Sequence, residues 1–114
     1  MVLTPRSPYP EGDVTVVMRV TYNTLEAIIR DESAREYIAR ACGRACEDGH
    51  WEGWLEFVPL DGGVVIRSAR ETTQPNRMDT EYWATGLTPI FLEGALRRAI
   101  ERKEFELFYQ PKVH

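Results

Sequence analysis

Long apolar runs, an excess of positive charge and a set of paired cysteines are all missing from this chain. No apolar stretch approaches the length that spans a bilayer, so no membrane span is expected. With 14 Lys and Arg against 18 Asp and Glu, the formal charge is -4, and the pI is near 5.2. That balance argues against a dedicated nucleic-acid binder, which carries a basic excess. Two cysteines do not make a disulfide framework. They read as thiols kept in a reducing compartment, which points to the cytoplasm. The opening MVLTPRSPYPEGD lacks the basic start and apolar core of a signal peptide. Also missing are a serine–histidine–acid set, a zinc quartet, a glycine-rich phosphate loop and a convincing carboxylate pair, so no catalytic residue and no cofactor is expected.

What is present suits one globular domain. The composition is 43% hydrophobic and 28% charged over 114 residues, enough chain to bury about two thirds of its unfolded surface. Residues 1–13, with Pro5, Pro8, Pro10 and Gly12, read as a flexible N-terminal arm. From Val14, alternation takes over. Val14, Val16, Met18, Val20 and Tyr22 share one face of a half-buried strand, and Val17 is the one apolar residue on the other. Asn23 or Thr24 could then cap a short helix with Leu25, Ile28 and Ile29 on its inner side.

Residues 34–45 carry two patterns at once. Ala34, Tyr37, Ile38, Ala41, Cys42 and Ala45 recur at helical spacing. Gly43 opposes a helix, and Asp48-Gly49 is a strong hairpin signal. On a continuous helix Cys42, Cys46 and His50 would form a metal-like stripe, but a fourth ligand is missing and Asp48-Gly49 would break it. Two small buried or half-buried thiols explain the same residues.

The run HWEGWLEFV alternates as a strand. Trp51, Gly53, Leu55 and Phe57 fall on one face; Glu52, Trp54, Glu56 and Val58 fall on the other. Trp51 is expected in the core. Trp54, between two glutamates, is either covered by a helix or exposed as a contact residue, and with Val58 it is the candidate interface. Asp61-Gly62-Gly63 turns the chain into VVIRSAR. The loop that follows gathers Arg70, Thr72, Gln74 and Arg77 close to a helix start, a candidate site for an anionic ligand. Glu71, Asp79 and Glu81 oppose an anion there. Asn76 with Asp79 resembles a capping box, Gly86 is placed as a C′ glycine, and Thr88-Pro89 restarts an amphipathic helix through Leu92, Leu96 and Ile100. After Lys103 the pattern turns to period two, so residues 104–114 read as a strand-like tail closed by Pro111.

The segments DGHWEGWLEFVPLDGG, RETTQPNR and YWATGLTPIFLEGAL resemble a family of small, uncharacterised bacterial proteins over roughly residues 14–98. That resemblance implies a β-meander followed by helices, which tips residues 35–46 towards strand; it implies no activity. A second resemblance covers residues 92–113. LRRAIERKEFELFYQPKV is similar to the opening of EAL-type cyclic-di-GMP phosphodiesterases, where a helix leads into a first barrel strand. The Glu-Ala-Leu motif and the later acidic ligands are absent, and such a barrel needs on the order of 250 residues. The resemblance therefore implies at most a place in a cyclic-di-GMP pathway, and Gln110 is not transferred as a site.

The expected fold is α+β: residues 14–103 form a single domain, an antiparallel meander of about four strands with two C-terminal helices packed across it. The leading function is a non-catalytic binding or interaction module, engaging a protein partner or a second copy of itself. An accessory domain or N-terminal fragment of an EAL-type signalling protein comes next. A small-ligand enzyme using the Arg70–Arg77 loop comes third.

Overall fold

The chain is seen in a computed structural model that describes residues 15–19, 21–22 and 25–108, with side chains described over 27–104. At its centre stands one long hairpin, β5 (Glu36–Ala45) and β6 (Trp51–Pro59). They pair antiparallel from Ala45↔Trp51 to Tyr37↔Pro59. The turn between them lies where Asp48-Gly49 puts it. Gly49 has φ 87°, a left-handed conformation that costs glycine little. Cys46 N donates to the His50 carbonyl at 2.7 Å to close the turn. The hairpin expected from that dipeptide is therefore present, and the competing helical spacing of residues 34–45 has no counterpart in the fold.

Each outer edge of the hairpin is paired by an interrupted strand. Along β5 run β1 (Thr15–Arg19) and β4 (Ile28–Arg30); along β6 run β7 (Ile66–Arg67) and β8 (Thr72–Gln74). Between β1 and β4, β2 (Thr21–Tyr22) and β3 (Leu25–Glu26) form a separate two-stranded sheet. Two helices follow, α1 (Arg77–Thr85) and α2 (Pro89–Phe108). The α+β class holds, with an antiparallel sheet and two C-terminal helices.

Both helices lie on one face of the sheet. α1 settles on the half nearer the hairpin turn, where glycines leave room. A Cβ on Gly53 would stand 2.9 Å from both the Trp83 ring and the Thr72 methyl, and one on Gly43 would stand 2.8 Å from the Thr80 methyl. Thr80 is fully buried there, and its hydroxyl donates to the Asn76 carbonyl at 2.9 Å. α2 covers the other half. Leu92, Ala95, Leu96 and Ala99 close over Ile29, Tyr37, Ala39, Leu55, Phe57 and Ile66 to make the core. Full burial of each large aliphatic or aromatic side chain contributes roughly 1.5–3 kcal/mol.

The helix ends follow their sequence. Asn76 Oδ1 accepts from Asp79 N at 2.8 Å, the cap expected at that residue. Thr88 Oγ1 accepts from Phe91 N at 3.3 Å, with Pro89 at the first helical position. Gly86 differs. Its φ is -92°, so α1 ends in an ordinary bonded turn, not in the left-handed C′ geometry.

Two expected elements are replaced. Leu25, Ile28 and Ile29 belong to β3 and β4, not to a short helix. β4 pairs with β5 from Ile28↔Ile38 to Arg30↔Glu36, which turns Ile29 inward and Ile28 outward. The strand-like tail is helical over 104–108, because α2 continues to Phe108. Glu101, Arg102, Lys103, Glu104 and Glu106 are good helix formers, and no Gly or Pro interrupts them before Pro111. Over 105–108 the chain thus departs from the helix-then-strand order that the phosphodiesterase resemblance implies. The expected arm, residues 1–13, and the last part of the tail, 109–114, lie outside the described residues, as do Asn23 and Thr24.

Candidate binding surface

Among the described residues, no helix lies on the other face of the sheet. Its side chains are the even-numbered residues of β5 and β6, since directly paired residues of an antiparallel ladder project to the same side. Reading across the strands from the hairpin turn, Arg44 faces Glu52, Cys42 faces Trp54, Arg40 faces Glu56 and Ile38 faces Val58. β4 extends the last row with Ile28, paired to Ile38.

Two of these rows are ion pairs. Arg44 Nε meets Glu52 Oε1 at 2.5 Å, and an Arg40 guanidinium nitrogen meets Glu56 Oε1 at 2.8 Å. Glu56 is only 3% exposed, and the Arg40 guanidinium is one of the partners that it meets there. Trp54 lies in the row between them, with the Arg67 guanidinium 4.8 Å from its ring centroid. The expectation that Trp54 stands exposed as an interface residue is overturned: it is 1% exposed. The strand geometry behind that expectation is right, because Trp54 does lie opposite the helix-covered face. What it missed is that Arg67 stacks on the ring and that the arginine and glutamate stems of both neighbouring rows lie beside it. Cys42, cross-strand from Trp54, is fully buried, and burial pushes its thiol well above the ordinary range.

The aliphatic row behaves differently. Ile28 is 53% exposed, and Ile38 and Val58 are half-buried. Val64 and Val65, exposed just before β7, lie at the far side of the same end. Val58, nominated from the sequence, thus belongs to an accessible apolar row, while Trp54 does not. Ile28 and Ile38 were missed. A strand reading of residues 28–30 would have found them, since period two separates Ile28 from Ile29 where a helix joins them.

The loop nominated for an anion is not assembled as one. Thr72 and Gln74 belong to β8, paired to Gly53 and Trp51, and the Gln74 amide donates to Thr72 Oγ1 at 2.7 Å. Arg77 is engaged with Glu81 at 3.0 Å, one turn along α1. Arg70 is exposed, and the intervening Glu71 accepts from Arg98 at 2.9 Å. The Cys42, Cys46 and His50 stripe is dissolved by the hairpin. Cys42 is buried in the sheet, whereas His50 Nδ1 meets Asp48 at 3.2 Å in the turn. Among the described residues no group of three or more ligating side chains could hold a metal ion. A groove of about 690 Å³ runs between α2 and the turn after β4, walled by Glu32, Glu93, Glu101 and Glu104 with Arg30 and Arg97. None of the residues nominated from the sequence lines it.

That turn is held by Asp31, whose carboxylate accepts from Ser33 N at 2.8 Å, Arg35 N at 3.0 Å and the Tyr37 hydroxyl at 2.9 Å. These bonds carry Ala34 at φ 63°, a conformation most residues avoid. Burial, and then the bond to Asp31, raise the Tyr37 hydroxyl above its usual range. On the next loop, Arg35 clasps Asp61 at 2.7 Å and holds its carboxyl below the usual range.

Comparison of the chain with protein-family models, with curated proteins and with solved structures found no match. Among the described residues no helix is long and apolar enough to cross a membrane.

Proposed function

We propose that this protein is a non-catalytic interaction module whose contact surface is the helix-free end of the sheet around Ile28, Ile38 and Val58. The observation that carries this reading is the row itself: three β-branched side chains side by side on adjacent strands, the outermost 53% exposed. Such a row adds stability to a sheet only weakly where water reaches it, whereas an apolar strip rimmed by charge suits a protein contact. The rim here is the Arg30–Glu36 pair on one side and the Arg40–Glu56 pair on the other. The free thiols of Cys42 and Cys46 suit a reducing compartment, and we place the module in the cytoplasm.

The test compares wild-type and Ile28→Asp chains, immobilised and exposed to the same cell extract, with retained proteins quantified. The substitution should remove one or more specific proteins, further copies of this chain included, while the far-ultraviolet circular dichroism stays unchanged. An identical retained set for both chains overturns the reading.

A further inference from the structure

The order of side chains along β5 selects a partner for this surface. Glu36, Ile38 and Arg40 are consecutive on the helix-free face: an acid, an aliphatic and a base at period two. A two-fold contact must be self-complementary, because the same patch meets itself in reverse. A two-fold axis laid across the strands through Ile38 sets Ile38 against Ile38. It also sets Glu36 of each copy against Arg40 of the other. Along β5 the operation joins unlike charges twice; on the adjoining edge it brings the Arg30 position, paired to Glu36, towards the Arg19 position, paired to Arg40.

The side chains are already aimed for it. Glu36 is held by Arg30 at 3.0 Å and remains 40% exposed, and Arg40 is held by Glu56 at 2.8 Å with 17% of its side chain exposed. Each would gain a second opposite charge without giving up the first. Ile28 and Val58, on either side of Ile38, supply apolar contact along the axis. We propose that this sheet face closes on a second copy of the chain, in an isologous dimer centred on Ile38. The proposal rests on the interaction reading above and names its partner.

Sedimentation of the full chain from about 1 µM to about 1 mM tests it, a range that covers weak and moderate association. A reversible dimer is expected. Glu36→Arg should weaken it at least about a hundredfold, and more than Glu36→Gln does, because reversal adds repulsion where neutralisation only removes attraction. Arg40→Glu should weaken it similarly, and an equimolar mixture of the Glu36→Arg and Arg40→Glu chains should regain association, since both junctions again join unlike charges. If Arg40→Glu fails to fold beside the buried Glu56, the ranking of the two Glu36 variants decides. A dimer insensitive to Glu36→Arg and Ile28→Asp overturns the proposal. So does a wild-type chain that stays monomeric throughout. A monomer that still retains another protein through Ile28 sinks the second copy and leaves the interaction reading standing; a monomer with no Ile28-dependent retention sinks both.

Discussion

The two faces of the β5–β6 hairpin are built from alternate residues of the same strands, yet they solve different problems. The covered face is small where α1 lands, with Gly43 and Gly53, and large where α2 lands, with Tyr37, Leu55 and Phe57. Its charges are absent because nothing under a helix could hydrate them. The helix-free face keeps its charges in cross-strand pairs, Arg44–Glu52, Arg40–Glu56 and Arg30–Glu36, and stacks a tryptophan between the first two. The first face gains stability from removing apolar area from water. The second gains it from pairing charges and covering one aromatic, and it ends in an aliphatic row that neither device covers. A buried surface is therefore not the same thing as a helix-covered one.

Mutations can break that comparison. The largest effect is expected at Phe57→Ala, which empties a fully buried site in the core. The loss should be about 3–5 kcal/mol in urea unfolding. Less than about 1 kcal/mol would mean that α2 does not hold this half of the sheet.

Trp54→Ala should come close behind, at about 3 kcal/mol, although no helix covers it. Trp51, only half-buried at the end of the hairpin, should cost less when truncated. Equal losses at the two tryptophans, or a larger one at Trp51, would mean that Arg67 and the flanking ion pairs do not protect Trp54. Gly53→Ala should follow at about 1–3 kcal/mol, because its methyl would press on Trp83 and Thr72 together. Gly43→Ala meets a close contact from Thr80 alone and should cost less. A reversed order would place α1 differently on the sheet.

Much of this architecture was legible beforehand. The turn at Asp48-Gly49, the opposite faces of Trp51 and Trp54 and the starts of both helices are local signals, and local signals survive folding. The misreadings share another cause. Leu25, Ile28 and Ile29 share a helical spacing, but Leu25 pairs with Tyr22 while Ile28 and Ile29 pair with Ile38 and Tyr37, and spacing along the chain does not show those hairpin partners. Conversely, Phe105 and Leu107 look like a strand, but α2 continues through them. The candidate surface was half legible for the same reason. Val58 followed from alternation within β6, whereas Ile28 and Ile38 join it only through register across three strands. The burial of Trp54 required Arg67, which reaches it from β7.

A smaller effect is expected at Tyr37. Its hydroxyl donates to Asp31, so Tyr37→Phe should cost about 1 kcal/mol near neutral pH. The pH dependence has a definite sign. The folded-state pKa lies above the unfolded value near 10. The contribution is thus fully present below the unfolded pKa and is lost as pH rises through the folded one. Wild-type chain should lose stability above about pH 10 more steeply than Tyr37→Phe. Parallel alkaline profiles would show that this hydroxyl ionises without penalty.

The smallest effect on stability is expected at Ile28→Asp, and it separates the two ends of the helix-free face most sharply. Ile28 pairs with Ile38 as Trp54 pairs with Cys42, so backbone register alone would rank the two positions together. Exposure does not: Ile28 is 53% exposed and Trp54 is 1% exposed. A carboxylate at residue 28 would remain in water and close to the Arg30 and Arg40 rows. The monomer should therefore lose no more than about 0.5–1 kcal/mol, as at an ordinary surface site. Urea unfolding below the concentration at which the chain associates isolates that term, since any dimer would add its own stabilisation by mass action. A loss of about 3 kcal/mol, the size expected at Trp54, would mean that Ile28 is covered within the single chain. The aliphatic row would then be part of the monomer's own core, and the contact surface would have to lie elsewhere.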